Sequence, residues 1–383
     1  MDCRYCGHSL KQYEQELNFG RMPMTPNAIE KGVLLNNGSF YEYEFKIVNC
    51  TSCGLIQQYN APDPNILYFR FKNEIVGEKW KRHFQEFLKF ILGNYEKTHA
   101  VLEVGAGDLS LANMLVENGV TDLTIVEKNI DGKNVNSAIR IYFSYLEDVD
   151  FPKKFDIIYS SHVFEHVTSI QQHIKKISEI LNPHGKFIFS LPNFKKWIEN
   201  FNLNAFSQEH VIYPLIGNIE SILSRYNLRI NKVIEFEDHS LFIESEIIND
   251  VREPKNNCVE TKKLLLDFKI KLEKFGYFID KNVSSTERIY VFGGNSSSQL
   301  LLRNFLHDRD VVCILDNAKI KEGKYLYGFD YIVKNPDIIR DEFDKKAVVL
   351  IFTGTYVDEI KKQISSINQN IKTITMSDFR NEL

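Results

Sequence analysis

The stretch AVLEVGAGDLSLANML, from Ala100 to Leu115, decides the fold of this chain. Its opening AVLEV is a largely apolar run that predicts a buried parallel strand. Gly105 and Gly107 follow, and the next residues are apolar at helical spacing. A strand, a glycine turn and a helix in this order predict the nucleotide-binding start of a doubly wound α/β sheet.

The glycine turn and the strand after it limit the class of ligand that can bind. Ser110 stands where a dinucleotide site would have its third glycine, and the acids Glu103 and Asp108 would repel a pyrophosphate. The next strand, LTIV, ends at Glu127, an acid placed to bind two ribose hydroxyls. An acidic turn favours a cationic ligand such as S-adenosylmethionine (SAM), which carries an ammonium and a sulfonium group.

Three later segments agree with this pattern. FDIIYSSHVFEH (155–166) predicts the fourth strand and its loop, LNPHGKFIFSLPN (181–193) predicts the fifth strand, and residues 226–248 predict an antiparallel hairpin. With ExGxG and Glu127, these segments resemble the class I SAM-dependent methyltransferases over about residues 95–250.

The resemblance implies a set of cofactor-binding residues. Glu103, Gly105 and Gly107 would line the methionine and ribose end of SAM, and Glu127 would bind the ribose. Asp148 would face the adenine amine, and Ser161, at the end of the fourth strand, is a further candidate. We therefore expect SAM as the cofactor.

Four of the six cysteines form two matching pairs. Cys3-x2-Cys6 and Cys50-x2-Cys53 are each followed by glycine, so that each tight bend can turn two thiolates toward one ion. Four thiolates predict a structural, tetrahedral Zn²⁺ site with no open position for chemistry. Two redox-active CxxC motifs or four unrelated thiols are the alternatives.

The last part of the chain repeats the α/β pattern. RIYVFGGNSSSQLLLRNFL, VVCILDN and AVVLIFTGTY predict strands joined by helices, and hence a small parallel, Rossmann-like sheet. Its glycine turn, Gly293–Gly294, has either a ligand-binding or a purely structural role. We expect a zinc-binding domain over 1–72, a methyltransferase domain with its substrate loop over 73–250 and a C-terminal α/β domain over 251–383.

The whole chain resembles three-domain sugar C-methyltransferases that act on nucleotide-linked 4-keto deoxysugars. LNFGRMPMTPNAI, CTSCGLIQQYNAPDP and FSQEHVIYP carry the resemblance. In that family a Tyr-x-Glu-His segment holds the candidate base, which implies His210 as the base and Glu209 as its neighbour. Ser207 stands where the family has tyrosine.

The predicted reaction needs a base and a donor. Histidine suits the base because its unperturbed pKa of about 6.5 leaves it largely neutral at pH 7. Glu209 would orient or bias the imidazole of His210. Tyr213, His162 or Tyr68 would donate to the enolate oxygen.

Composition narrows the class of partner. The net charge is −4, and residues 1–72 hold seven Lys/Arg and seven Asp/Glu, which argues against a nucleic-acid partner. The sequence has no apolar run that predicts a membrane span and begins without a signal peptide, so a cytoplasmic monomer or homodimer is expected.

Other functions remain open at this level. An O- or N-methyltransferase on a related nucleotide sugar or another small molecule is the main alternative. A zinc-ribbon RNA methyltransferase and a non-catalytic binding protein that keeps the fold are the others.

Overall fold

The computed structural model describes residues 1–10, 16–31, 41–67, 77–129, 136–137, 139–248, 258–342 and 346–383. The domain boundaries expected at 72/73 and 250/251 both lie outside these ranges, and so they stay predictions. Among the described helices, none has the length and apolar character to cross a bilayer.

The central part of the chain forms a twisted β-sheet with α-helices packed against its faces. Its helices and strands are α2 Glu78–Leu92, β5 Val101–Val104, α3 Ser110–Glu117, β6 Leu123–Val126, β7 Ile139–Tyr142, β8 Phe155–Ser161, α4 Ile170–Ile180, β9 Leu181–Pro192, α5 Phe194–Glu199, β10 Ile212–Tyr213, α6 Ile216–Ser224, β11 Leu228–Phe236 and β12 Ser240–Ile247. The part before it holds β1 Glu16–Pro23, β2 Ala28–Ile29, β3 Glu42–Asn49, β4 Ile56–Gln58 and α1 Pro64–Leu67.

The central sheet has the strand order β11-β12-β9-β8-β5-β6-β7. The strands from β9 to β7 pair in parallel, and β12 pairs antiparallel with both β9 and β11. All of β5 is buried, as its apolar sequence requires of a strand covered by helices on both faces. The predicted doubly wound sheet with a closing hairpin is therefore confirmed.

The N-terminal sheet is antiparallel and includes a strand from the central part of the chain. Its order is β1-β3-β4-β10, with Ile212 and Tyr213 of β10 opposite Gln57 and Ile56 of β4. Phe19 of β1 stacks on Phe45 of β3 with ring centres 5.2 Å apart. The segment that follows His210 is thus fixed to the cysteine-containing part of the chain.

The C-terminal part forms a second parallel sheet, as predicted. Its elements are α7 Cys258–Asn282, β13 Arg288–Phe292, α8 Ser296–Phe305, β14 Val311–Leu315, β15 Tyr325–Leu326, β16 Val333–Lys334, β17 Ala347–Ile351, α9 Val357–Ile367, β18 Lys372–Thr375 and α10 Met376–Asn381. The strand order is β16-β14-β13-β17-β18, with all these neighbours parallel. Cys313 is buried in β14.

Helix α7 packs the C-terminal part against the central part. Phe268 and Phe275 of α7 contact Phe201, with ring centres 4.7 and 5.5 Å away. Phe268 also meets Phe206 edge-on at 4.9 Å. These residues flank the segment that carries Glu209 and His210, so an aromatic core supports that segment.

Candidate active site

The glycine turn after β5 has the geometry that its sequence predicts. Gly105 and Gly107 have φ angles of +75° and +54°, a backbone region that residues other than glycine rarely adopt. A Cβ on Gly105 would lie 2.5 Å from Val163, whereas a Cβ on Gly107 would meet open space. Gly105 is therefore required by packing, and Gly107 leaves the backbone open to a ligand.

Glu127 lies directly beside this turn. One carboxylate oxygen accepts a hydrogen bond from the Gly107 amide at 3.4 Å, and the other accepts from the Asn129 amide at 2.8 Å. The amide contacts hold the carboxylate at the carboxyl end of β6, where a ribose-binding acid lies in doubly wound sheets.

Glu103 lies under the turn and is 2% exposed. Its Oε2 atom has no hydrogen bond within 3.5 Å in the described part of the chain, and the hydroxyl of Tyr159 on the adjacent strand interacts with the carboxyl group. Burial raises the pKa of Glu103 to about 8. A buried acid with a spare oxygen is well suited to balance a cationic group brought in by a ligand.

Asp148 and Ser161 lie at different points along the edge of the sheet. Asp148 is exposed at the end of a short 3₁₀ turn, Leu146–Asp148. Ser161 ends β8, and its hydroxyl shares a hydrogen bond of 3.0 Å with that of Ser190 on β9. Their predicted contacts with the cofactor remain predictions.

The segment FSQEHVIYP is held in place by an amide from the N-terminal sheet. Gln58 is fully buried, and its Nε2 atom donates to the carbonyls of Ser207, Gln208 and His210 at 3.0, 2.9 and 2.6 Å. The segment is therefore an ordered part of the site whose path depends on β4.

His210 lies next to a carboxylate that is distant in sequence. Glu165, His166 and His210 each offer one ligand atom within 4.8 Å of the others. The rings of His166 and His210 are 5.1 Å apart, and His166 Nε2 lies 3.8 Å from Glu165 Oε1. Burial lowers the pKa of His210 well below its usual value and raises that of Glu165 to about 7.

The surroundings of the His210 ring favour its uncharged form. Its Nδ1 atom is buried and has no hydrogen-bond partner among the described residues. Because burial keeps the imidazole uncharged near neutral pH, one ring nitrogen retains a lone pair that can take a proton. An uncharged imidazole with a lone pair can accept a proton, and the catalytic role of His210 stays a prediction.

The other predicted catalytic residues have different surroundings. Among the described residues no hydrogen bond joins the Glu209 carboxylate to the His210 ring, and Glu165 is the acid that clusters with that ring. The Tyr213 hydroxyl is buried and donates to the carbonyl of Ser207 at 3.1 Å. Tyr68 lies outside the described residues, and its predicted role stays a prediction.

His162 connects two parts of the site. Its φ angle is +53°, its Nδ1 atom lies 3.2 Å from Glu165 Oε1, and its Nε2 atom bonds the Ser240 hydroxyl at 2.9 Å. Burial lowers its pKa to about 3. Glu165 thus lies between His162 on one side and the pair His166 and His210 on the other.

Residues at the carboxyl end of the C-terminal sheet contact the segment FSQEHVIYP from the side opposite Glu165. Ser207 shares a hydrogen bond of 3.0 Å with Ser296, and Gln208 donates to Gln299 at 2.7 Å. Burial raises the pKa of Glu209 to about 7, and the positive charge of Lys321 opposes this rise. The predicted active-site loop therefore lies between two α/β sheets.

The Gly293–Gly294 turn of the C-terminal sheet resembles the first turn in layout. The Gly294 amide donates to Asp316 Oδ2 at 2.7 Å, and Lys321 lies 3.3 Å from the same oxygen. Asp316 follows β14 as Glu127 follows β6. These internal contacts fit a structural role and leave the ligand-binding role a prediction.

The four predicted zinc ligands converge. Their sulfurs all lie within 4.8 Å of one another, with 3.7 Å between Cys3 and Cys53 and 3.5 Å between Cys6 and Cys50. A tetrahedral Zn²⁺ with bonds of about 2.3 Å separates its sulfurs by about 3.8 Å, whereas a disulfide needs about 2.05 Å. The donor set is compatible with zinc.

The turns around these cysteines are those expected for metal-binding knuckles. Gly7 and Gly54 have φ angles of +73° and +74°, and their amides donate to the carbonyls of Cys3 and Cys50. The Ser52 amide points at Cys50 Sγ at 3.4 Å. Backbone donors of this kind stabilise thiolates that share a cation.

Comparison with known proteins agrees with the fold of the central sheet. Residues 76–233 match a family model described as "Methyltransferase domain". The chain is 20% identical over 249 residues to the C-methyltransferase NovU of Streptomyces niveus, covering 62% of this chain and 58% of that protein. It is 28% identical over 130 residues to a ubiquinone biosynthesis O-methyltransferase of Rickettsia akari, covering 32% of this chain and 49% of that protein.

The chain thus spans about half the length of these curated relatives. A solved SAM-dependent methyltransferase from Mesorhizobium loti is 14% identical, with a TM-score of 0.36, and covers 44% of this chain and 98% of that chain. The family match and the sheet order together identify the central part as a methyltransferase domain with the class I, SAM-dependent fold.

Sequence reasoning missed several residues of the site. Glu165 and His166 stand in a quoted segment, FDIIYSSHVFEH, where an acid beside histidine was the available signal. Gln58 lies in the segment LIQQYN after the second cysteine pair, and no local pattern distinguishes it. His83 and His239 are isolated histidines in sequence, and only folding brings them near His162.

Proposed function

We propose that the protein is a SAM-dependent methyltransferase that methylates a carbon atom of a nucleotide-linked 4-keto deoxysugar. The observation that carries the proposal is the position of His210. It lies half-buried beside Glu165 and His166, on a loop enclosed between the methyltransferase sheet and the C-terminal sheet. Such an enclosed loop suits a small-molecule substrate.

The residues present fit SAM at the first glycine turn. Glu127 would accept hydrogen bonds from the ribose, Gly107 leaves its backbone open, and buried Glu103 has an oxygen free for a cationic group. When bound there, SAM supplies an electrophilic methyl group. Ser161, at the end of β8, and Asp148, at the exposed turn after β7, would border the same edge.

His210 would act as the general base. A C–H bond beside a ketone is acidified, so the imidazole can take that proton while the electron pair spreads onto the ketone oxygen as an enolate. The enolate carbon is then the nucleophile to be methylated. Glu165, which lies within reach of His210, His166 and His162, would stabilise the positive charge that the proton brings.

Similarity to a C-methyltransferase over much of the chain supports carbon as the methylated atom. O- or N-methylation of a related small molecule is the second candidate, and similarity to ubiquinone O-methyltransferases over a shorter segment favours it. The two reactions differ in one observable, because only C-methylation removes a carbon-bound hydrogen from the substrate.

Hydrogen exchange in deuterated water tests the proposal. The protein, with S-adenosylhomocysteine in place of SAM, is expected to exchange the hydrogen beside the ketone of a nucleotide 4-keto sugar. His210→Asn should reduce exchange and methylation by roughly 10²- to 10⁴-fold while SAM still binds. The exposed His307→Asn is the control and should retain both rates.

Two variants, each lacking one carboxylate near His210, distinguish the roles of the two acids. Glu165→Gln should lower the exchange rate more than Glu209→Gln, since Glu165 clusters with the His210 ring. Mass spectrometry of products from a panel of nucleotide 4-keto sugars identifies the substrate. Methylation without loss of a carbon-bound hydrogen would overturn C-methylation, and an unchanged rate in His210→Asn would overturn the assignment of the base.

We also propose that the four cysteines hold a structural Zn²⁺. The ion would tie β3 and β4 to the N-terminal residues, since Cys50 and Cys53 follow β3 and precede β4. The Gln58 side chain leaves β4 toward the catalytic loop. The ion would therefore support catalysis through the position of that loop.

A further inference from the structure

Three histidines from separate elements meet at the edge of the methyltransferase sheet. They are His83 of α2, His162 after β8 and His239 just before β12. One ring nitrogen from each lies within 4.8 Å of the others. The ring centres are 5.2, 5.5 and 5.6 Å apart. This group is called the three-histidine cluster below.

These separations match those around a metal ion. A metal–nitrogen bond of about 2.1 Å places each imidazole centre about 3.2 Å from the ion, and three tetrahedral ligands then have centres about 5.2 Å apart. Random packing of aromatic side chains does not require nitrogens to converge in this way.

One hydroxyl marks the point of convergence. Ser240 Oγ lies 2.9 Å from His162 Nε2 and 2.5 Å from His239 Nδ1, so both rings direct a nitrogen at the same place. The opposite nitrogens face oxygen atoms. His162 Nδ1 is 3.2 Å from Glu165 Oε1, and His239 Nε2 is 3.1 Å from the Tyr356 hydroxyl.

His239 has the arrangement that metal-binding histidines adopt. Their second ring nitrogen usually donates to a carboxylate or another oxygen, which fixes the tautomer and the ring orientation. Burial lowers the pKa of His162 and His239 to about 3, so both imidazoles stay uncharged, as metal ligands must be.

His83 provides an independent observation. It is fully buried, and neither ring nitrogen has a hydrogen-bond partner in the described part of the chain. Two unpartnered nitrogens in an apolar setting are costly, because a buried polar group normally finds a partner. A metal ion at the point where the three rings converge would satisfy one of them.

We propose that the three-histidine cluster binds a divalent first-row transition ion, such as Zn²⁺ or Fe²⁺, at a site separate from the four cysteines. Imidazole ligands favour these ions over Mg²⁺ and Ca²⁺. Three protein ligands leave a coordination position open, and Ser240 is the nearest residue to it. Trp80 packs edge-on against all three rings and limits access of water.

Metal titration of the full chain tests the proposal. After chelation and loading with Co²⁺, the protein is expected to bind two equivalents. One should give thiolate-to-cobalt charge-transfer bands, and the other should give only the weaker bands of a nitrogen and oxygen site. Elemental analysis after loading with Zn²⁺ should likewise give two ions per chain.

Variants assign the second equivalent. His83→Phe should abolish it and leave the thiolate bands unchanged, since a phenyl ring can fill the aromatic surroundings formed with Phe87 and Phe242. His239→Asn is the second variant, because asparagine can still bond Ser240. Tyr356→Phe should weaken the site by roughly 10- to 100-fold, and His307→Phe is the control that keeps both ions.

The outcomes are decisive in each direction. Loss of the second equivalent in either folded variant, with the thiolate site intact, supports the site. Uptake of a single, thiolate-bound ion by the unaltered chain overturns it. Persistence of the second equivalent in both His83→Phe and His239→Asn overturns it as well. None of these readouts depends on turnover, so the proposed methylation can fail without affecting them.

Discussion

The side-chain amide of Gln58 donates a hydrogen bond of 2.6 Å to the backbone carbonyl of His210. Gln58 lies on β4, next to the cysteine cluster, whereas His210 belongs to the loop of the methyltransferase domain. Because the same amide also serves the carbonyls of Ser207 and Gln208, one side chain sets the path of the loop.

Removal of this amide should impair the loop and spare the cofactor site. Gln58→Leu would remove the side-chain donor to the carbonyls of Gln208 and His210, at a cost of about 1–3 kcal/mol in the free energy of unfolding. We expect a large loss of hydrogen exchange with near-normal SAM affinity by calorimetry. Asn18→Ala, on the exposed side of the same sheet, is the control, and equal exchange rates in both variants would contradict this role of Gln58.

Loss of a cysteine ligand should remove the thiolate-bound metal ion. Cys50→Ser is expected to lose that ion by elemental analysis and to lower the melting temperature, because structural zinc contributes directly to folding. Methylation should fall while SAM affinity stays largely intact. Cys258→Ser is the matched control, since its Sγ atom lies near the carbonyls of Cys50 and Thr51 and outside the four-sulfur cluster.

Glu127 should account for a measurable share of the SAM affinity. Charge-assisted hydrogen bonds to ribose hydroxyls contribute about 1.5–3 kcal/mol, so Glu127→Ala should weaken binding roughly ten- to a hundredfold. Titration calorimetry provides the measurement, and Glu117→Gln at the exposed end of α3 should bind normally. Unchanged affinity in Glu127→Ala would place the ribose elsewhere. NAD is not expected to bind, because the turn is acidic where a pyrophosphate would lie.

Glu103 should make the stability of the chain depend on pH. Its pKa is about 8 in the fold, against about 4.3 in an unfolded chain. The unfolded state therefore releases this proton first, and the stability present below about pH 4.3 is lost progressively as pH rises toward 8, by at most about 1.4 kcal/mol per pH unit.

Glu103→Gln should remove this contribution. In denaturant unfolding at pH 5, 6.5 and 8, the variant should gain stability over the unaltered chain as pH rises, and it should bind SAM more weakly. Glu117→Gln should leave the pH profile unchanged. A constant difference between Glu103→Gln and the unaltered chain at all three pH values would show that Glu103 does not titrate in this range.

Much of the fold follows from local sequence. The apolar strand before Gly105, the glycine turn and the acid at Glu127 define a doubly wound sheet because each depends only on periodicity and backbone freedom. The two CxxC pairs, each followed by glycine, likewise place two sulfurs on one bend before any tertiary contact forms. Those features are determined by residues that are neighbours in the chain.

Tertiary structure alone decided which residues meet around the reacting groups. The sequence places Glu209 beside His210, but the fold brings Glu165 to the ring, because adjacent side chains diverge while the loop bends back to the 3₁₀ turn Phe164–His166. Gln58 is joined to this loop across about 150 residues. Packing of separate elements creates such contacts, and no local pattern of residue types encodes them.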